Sequence, residues 1–192
     1  MVEPFRRRSP LAHRGLPARA VLDAARRASA EIVLSERPHR CQVNLRGKAA
    51  DPAFVARVAS AIGLALPEVP NTTTSDGGIT ALWLGPDEWL VIADRGALDE
   101  ATVRAALGGR PGSVVDVSAQ RVDVVVADRA VLAHGCALDL HPGVFPVGRC
   151  AQTLVAQVQV VLWHRVDGEF HLLTRLSYVD HLLAWLRDAG QA

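Results

Sequence analysis

The patterned part of the chain opens on strict alternation. From Arg40 to Gly47, residues Cys41, Val43 and Leu45 fall on one side and Gln42, Asn44 and Arg46 on the other. A period of two predicts a half-buried strand. Asp51 then offers a helix N-cap with Pro52 at the first helical position. Phe54, Val55, Val58 and Ile62 form a helical stripe that Gly63 ends. Residues 68–78, rich in Pro, Thr, Asp and Gly, predict a loop. Two apolar runs, 79–84 and 89–93, flank Gly85-Pro86-Asp87-Glu88 and predict a hairpin. A short helix over 98–107 is closed by Gly108-Gly109.

The same order recurs. Residues 113–118 and 121–127 are β-rich runs split by Ala119-Gln120, and the first could bridge the two halves. Asp128 can cap a helix carrying Val131, Leu132 and Cys136. A Pro/Gly loop spans 139–148, and 150–166 is one long β-branched run. Asp167-Gly168 predicts a tight hairpin before 169–174. Ser177 is placed to cap a last helix with Val179, Leu182, Leu183 and Leu186 at i, i+3, i+4 and i+7. The hairpin holding Asp87-Glu88-Trp89-Leu90 matches the one holding Asp167-Gly168-Glu169-Phe170. Two split β-α-β units in succession predict an α+β fold of duplicated ferredoxin-like β-α-β-β-α-β halves. The expected organisation is an N-terminal arm, 1–38, and one domain, 39–192, with pseudo-repeats over about 39–110 and 111–192.

Charge changes the picture at one end. Of 192 residues, 49% are hydrophobic and 21% charged, an ordinary globular mix. Residues 1–40 hold nine basic and four acidic residues, net +5, against 12 and 16 in the rest, net −4. A nucleic-acid binder carries its basic face on the folded domain, so the mildly acidic body excludes that class. The Arg-rich arm (Arg6-Arg7-Arg8, Arg14, Arg19, Arg26 and Arg27) reads equally as a solvated leader or as a strap for an acidic partner. The strap reading expects residues 1–35 to order only in a complex. The apolar runs 124–127 and 160–163 are far below the ~20 residues of a membrane span. Three cysteines and no evident signal peptide point to a reducing cytoplasm.

The sequence has none of the common catalytic devices: no Gly-x-Gly-x-x-Gly after a strand, no phosphate-cradling loop ending in Lys-Ser/Thr, no Gly-x-Ser-x-Gly, no Cys-x-x-Cys. His134, Cys136, Asp139, His141 and Cys150 have the ligand types of a zinc site, but their spacing fits no finger. The simpler expectation makes Cys136 and Cys150 small buried hydrophobes and has His141 satisfy backbone carbonyls. Trp83, Trp89, Trp163 and Trp185 could stack on a pterin, although their strand and helix positions fit core packing better. Asp116 and Asp123 stand on β-rich runs; if buried they need partners, and Arg121 is the nearest in sequence.

Longer motifs carry a resemblance. Ala81-Leu82-Trp83-Leu84-Gly85-Pro86-Asp87-Glu88-Trp89-Leu90, Gly135-Cys136-Ala137-Leu138-Asp139-Leu140-His141-Pro142 and the continuation from Phe145-Pro146 through Gly148 to Cys150-Ala151-Gln152-Thr153 resemble the gamma subunit family of heterotetrameric sarcosine oxidase. Arg8-Ser9-Pro10-Leu11 and Val43-Asn44-Leu45-Arg46-Gly47 fit it too. The resemblance implies a fold akin to the folate-binding domain of aminomethyltransferases. It also implies a complex that demethylates sarcosine to glycine, giving formaldehyde or methylene-tetrahydrofolate and hydrogen peroxide. Alpha, beta and delta subunits are the implied partners, holding FAD, FMN, NAD and zinc, with tetrahydrofolate as co-substrate. The resemblance transfers no catalytic, cofactor-binding or metal residue onto this chain. The competing expectation is a free-standing folate-binding one-carbon transferase using Asp116 or Asp123 as its acid. A zinc-binding module on His134, Cys136 and His141 is the third.

Overall fold

A computed structural model describes Leu11 and residues 34–37, 40–94 and 96–191. Its elements are β1 (Leu34–Glu36), β2 (Cys41–Gly47), α1 (Pro52–Ile62), β3 (Thr73–Asp76), β4 (Ile79–Gly85), β5 (Glu88–Ala93), α2 (Glu100–Ala106), β6 (Gly112–Asp116), β7 (Arg121–Val126), α3 (Arg129–Ala133), β8 (Cys150–Val155), β9 (Val158–Val166), β10 (Glu169–Arg175), a 3-10 turn (Leu176–Tyr178) and α4 (Val179–Ala189). Two antiparallel five-stranded sheets result, ordered β3-β4-β5-β2-β6 and β1-β7-β10-β9-β8. The duplicated ferredoxin-like α+β expectation matches this arrangement. Superposing the orders aligns β2 with β7, β5 with β10, β4 with β9 and β3 with β8.

One element departs from simple repetition. The first sheet is closed by β6, which pairs with β2 from Val43↔Asp116 to Gly47↔Gly112. The predicted run 113–118 therefore belongs to the first sheet. The equivalent edge of the second sheet is filled by β1, paired with β7 through Leu34↔Val126, Ser35↔Val125 and Glu36↔Val124. That segment falls within the expected arm, 1–38. Leu11, also in the arm, is buried in the second sheet's helix-side core. The remainder of the Arg-rich segment lies outside the described residues.

Layering explains why several strands read as continuous apolar runs. Phe54, Val58 and Ile62 of α1 and Val103 of α2 pack on Val43, Leu45, Trp89 and Val91. Val131 and Leu132 of α3 and Val179, Leu182 and Leu186 of α4 pack on Val122, Val124, Phe170 and Leu172. Between the sheets, Leu82, Leu84, Leu90 and Ile92 meet Cys150, Val161, Trp163 and Leu173. A strand buried on both faces loses its alternation, as β5 and β9 do. Each fully buried Leu or Phe contributes about 1.5–3 kcal/mol. Backbone bonds link the sheets too, Thr73 N–H donating to Gly148 O and Cys150 N–H to Asn71 O, both at 3.0 Å.

Local chemistry sets the ends. Asp51 accepts from the N–H groups of Ala53 (3.0 Å) and Phe54 (3.3 Å), and Gly63 ends α1 with φ 69°. Asp128 caps α3 through Ala130 N–H at 2.7 Å. The run 150–166 is two strands, because Ala156 and Gln157 both take positive φ and make a two-residue turn. Neither is Gly or Asn, so composition gives no sign of that turn. Residues 73–76, inside the predicted loop, form edge strand β3 against β4. Ser177 sits in the 3-10 turn, and α4 starts at Tyr178 without a side-chain cap.

Candidate functional site

The inward face of the second sheet gathers the most unusual side chains. On β10, Phe170 and Leu172 turn to the helices, so Glu169 and His171 turn to the first sheet with Leu173. On β7, Asp123 does the same between Val122 and Val124. His171 Nδ1 lies 2.8 and 3.0 Å from the two Asp123 oxygens, and Nε2 lies 2.9 Å from Glu169 Oε1. Glu169 also accepts from Arg37 at 3.3 Å and Arg165 at 3.0 Å. The Trp163 ring stands 4.7 Å from His171.

Both imidazole nitrogens face carboxylates, so both must donate, which requires the imidazolium form. Burial works to lower the His171 pKa, but Asp123 and Glu169 outweigh it and hold the pKa above its ordinary value. His171 has a side-chain exposure of 0%. A sealed imidazolium with both protons committed is no general base. Its chemistry here is cohesion: it joins β7 to β10, while Glu169 and Arg37 tie in the end of β1.

The residues singled out from sequence are dispersed. His134, Asp139 and His141 are exposed, Cys136 packs at the edge of the α3/α4 core, and Cys150 is buried between the sheets. Among the described residues no group of three His, Cys, Asp or Glu side chains is gathered to hold a metal. Cys150 Sγ donates to Thr72 O and Trp83 O, each at 3.3 Å, and burial pushes its pKa up to about 12. A thiol so far from ionisation is a poor nucleophile. His141 differs from expectation: its Nδ1 accepts from Gly143 N–H at 3.2 Å, and among the described residues its ring meets no carbonyl. Trp89 and Trp163 are fully buried, and Trp83 and Trp185 pack partly buried against the helix-side cores, so none forms an open stacking platform.

Asp116 and Asp123 do not come together. Asp116 is exposed on edge strand β6 and accepts from Ser118 N–H at 2.8 Å. Asp123 is paired with His171, not with Arg121, because alternation sends residues 121 and 123 to one face two positions apart. Asp123 is committed to His171 in a buried pair, and Asp116 stands apart from it on the exposed sheet edge. Glu169, His171, Arg37 and Arg165 escaped the sequence reading. Their only signal was a Glu-x-His pair at one-face spacing within an apolar strand.

Comparison with known proteins follows the same lines. The sequence matches the model of the "Sarcosine oxidase, gamma subunit family" over residues 46–192. The sarcosine oxidase subunit gamma of Arthrobacter sp is 37% identical over 162 residues, covering 82% of this chain and 79% of that protein. Its counterpart from Corynebacterium sp. (strain U-96) is 36% identical over 187 residues, covering 95% and 89%. Among solved structures, a chain of heterotetrameric sarcosine oxidase from Corynebacterium sp. U-96, in complex with pyrrole 2-carboxylate, aligns with a TM-score of 0.82. Its identity is 35%, with 96% of this chain and 95% of that chain covered. The glycine cleavage system aminomethyltransferase T from Bartonella henselae shares the fold alone, at TM-score 0.61 and 16% identity, covering 86% of this chain and 48% of that one. This chain belongs to the sarcosine oxidase gamma subunit family.

Proposed function

We propose that this chain is the gamma subunit of a heterotetrameric sarcosine oxidase and contributes shape and contact surface, with no catalytic residue of its own. The observation carrying this reading is the match to a solved subunit over nearly the whole of both chains. Alpha, beta and delta subunits complete the assembly, and FAD, FMN, NAD and zinc reside in them. Those chains oxidise sarcosine to glycine, passing electrons to oxygen to give hydrogen peroxide. The released carbon leaves as formaldehyde, or as methylene-tetrahydrofolate when folate is present. The locked His171 and protonated Cys150 support a non-catalytic role for this chain. The arm, 1–38, acts as a strap on an acidic neighbour, anchored near its end by β1. Among the described residues no helix is long and apolar enough to cross a membrane.

Co-expression with the candidate partner chains and affinity purification tests the proposal. The expected product is a yellow complex carrying this chain stoichiometrically, while the chain purified by itself stays colourless and inert toward sarcosine. Turnover of sarcosine, or tight binding of a flavin or tetrahydrofolate, by the single chain would overturn it.

A further inference from the structure

A cavity of about 400 Å³ opens where the inward face of the second sheet runs past the cover of the first. Arg121, Arg175, Gln152, Gln159, Leu154 and Leu173 shape it, and among the described residues no acidic side chain lines it. The two arginines are direct cross-strand partners in the β7–β10 ladder, Arg175↔Arg121. Like charges placed opposite one another repel, and Glu88 is the carboxylate near enough to Arg121 to counter that repulsion. Arg121 is also partly buried. Burial lowers its pKa, and the attraction of Glu88, which outweighs the repulsion of Arg175, does not restore the ordinary value. Its Nη1 is sealed from solvent without a hydrogen-bond partner, and neither guanidinium has an ion-pair partner among the described residues. Gln152 donates to Leu84 O at 3.1 Å, which fixes its amide beside the cavity.

Two facing guanidiniums flanked by neutral amides, in a concave space at the small end of ligand-pocket size, are built for an oxyanion. We infer that this cavity is a binding site for a carboxylate or phosphate group, bridged between Arg121 and Arg175. The anion supplies the hydrogen-bond partner that the buried Arg121 Nη1 lacks. It arrives either on a free small molecule or as a carboxylate presented by a neighbouring subunit.

The full chain, in a buffer free of phosphate and carboxylate, is titrated calorimetrically with inorganic phosphate and with succinate. Saturable binding and a raised melting temperature are expected. Arg121→Gln and Arg175→Gln each weaken binding about tenfold to a hundredfold, whereas Arg187→Gln on α4 leaves it unchanged. Without anion, Arg175→Gln melts no lower than the parent chain, since the guanidinium it removes is exposed and makes no ion pair among the described residues. That exposed position keeps the test usable should Arg121→Gln fold poorly. Binding that persists in the assembled complex assigns the site to a free anion; binding lost on assembly assigns it to a partner carboxylate. Absence of saturable binding to the full chain, or equal binding by folded Arg175→Gln, overturns the inference.

Discussion

Glu88 and Glu169 occupy the same position in the two halves: each begins the strand after a hairpin, and each precedes a buried aromatic, Trp89 or Phe170. Their surroundings differ. Glu88, with 19% of its side chain exposed, is met by Asn44 at 2.8 Å and by Arg46 at 3.6 Å, at the open end of the first sheet. Glu169, at 8%, lies under His171, Arg37 and Arg165. The first half is closed by β6, which follows in sequence and pairs over five positions. The second half recruits β1 from the other end of the chain and pairs it over three. A three-residue edge strand brings few ladder bonds, and a buried ionic cluster compensates. The two halves share a topology, and the half that lacks its own closing strand holds the electrostatic clamp.

The sharpest way to break the comparison is to remove the cation at the centre of that cluster. His171→Ala leaves Asp123 and Glu169 buried with a lost partner, at a cost of about 3–5 kcal/mol, readable as a lower denaturant midpoint. Asn44→Ala beside Glu88 costs far less, because water reaches that carboxylate. The sign of the pH dependence follows from the raised His171 pKa. The folded state favours the charged ring, so its stabilisation is complete below the ordinary value of 6.5 and fades as pH rises through the raised value. Stability of the parent protein therefore declines above that point, and His171→Ala removes the decline. An unchanged slope would place the dependence elsewhere.

A smaller effect isolates the clamp on β1. Glu169→Gln keeps the shape and removes the charge that Arg37 and Arg165 share. Amide exchange at Ser35 and Glu36 is expected to accelerate about tenfold or more, while residues 112–116 of β6 keep their protection. Equal acceleration at both edges would show that Glu169 supports the whole body and has no special hold on β1.

Much of this architecture was legible where local chemistry and periodicity agree: Asp51-Pro52 with Gly63 for α1, the Gly85-Pro86 hairpin, Asp128 for α3 and the leucine stripe of α4. The misses have physical causes. Strands β3 and β1 are short and lie at edges, and partners far away in sequence select them over their local composition. Ala156-Gln157 turns because the β8–β9 ladder enforces positive φ on residues that do not favour it. The buried cluster was unreadable because Asp123 and His171 stand 48 positions apart and the fold alone makes them neighbours. Nearness in sequence favoured Arg121, whereas strand geometry gives Asp123 to His171 and leaves Arg121 facing Arg175.

The smallest expected effect tests helix starts, where α1 and α4 differ. In α1, Asp51 caps two N–H groups and receives Arg110 at 2.6 Å. Partial burial acts to raise its carboxyl pKa, but the N–H groups of Phe54 and Ala53 and the Arg110 guanidinium together bring it below its ordinary value. Its contribution is present above that ordinary value and lost as pH falls through the depressed one. Ser177, before α4, makes no capping bond, since the 3-10 turn has already engaged the backbone there. Asp51→Ala is expected to lower the melting temperature by a few degrees at neutral pH and by less in acid, and Ser177→Ala to leave it unmoved. Comparable losses from the two would mean that Ser177 does cap α4 in solution, as Asp51 caps α1.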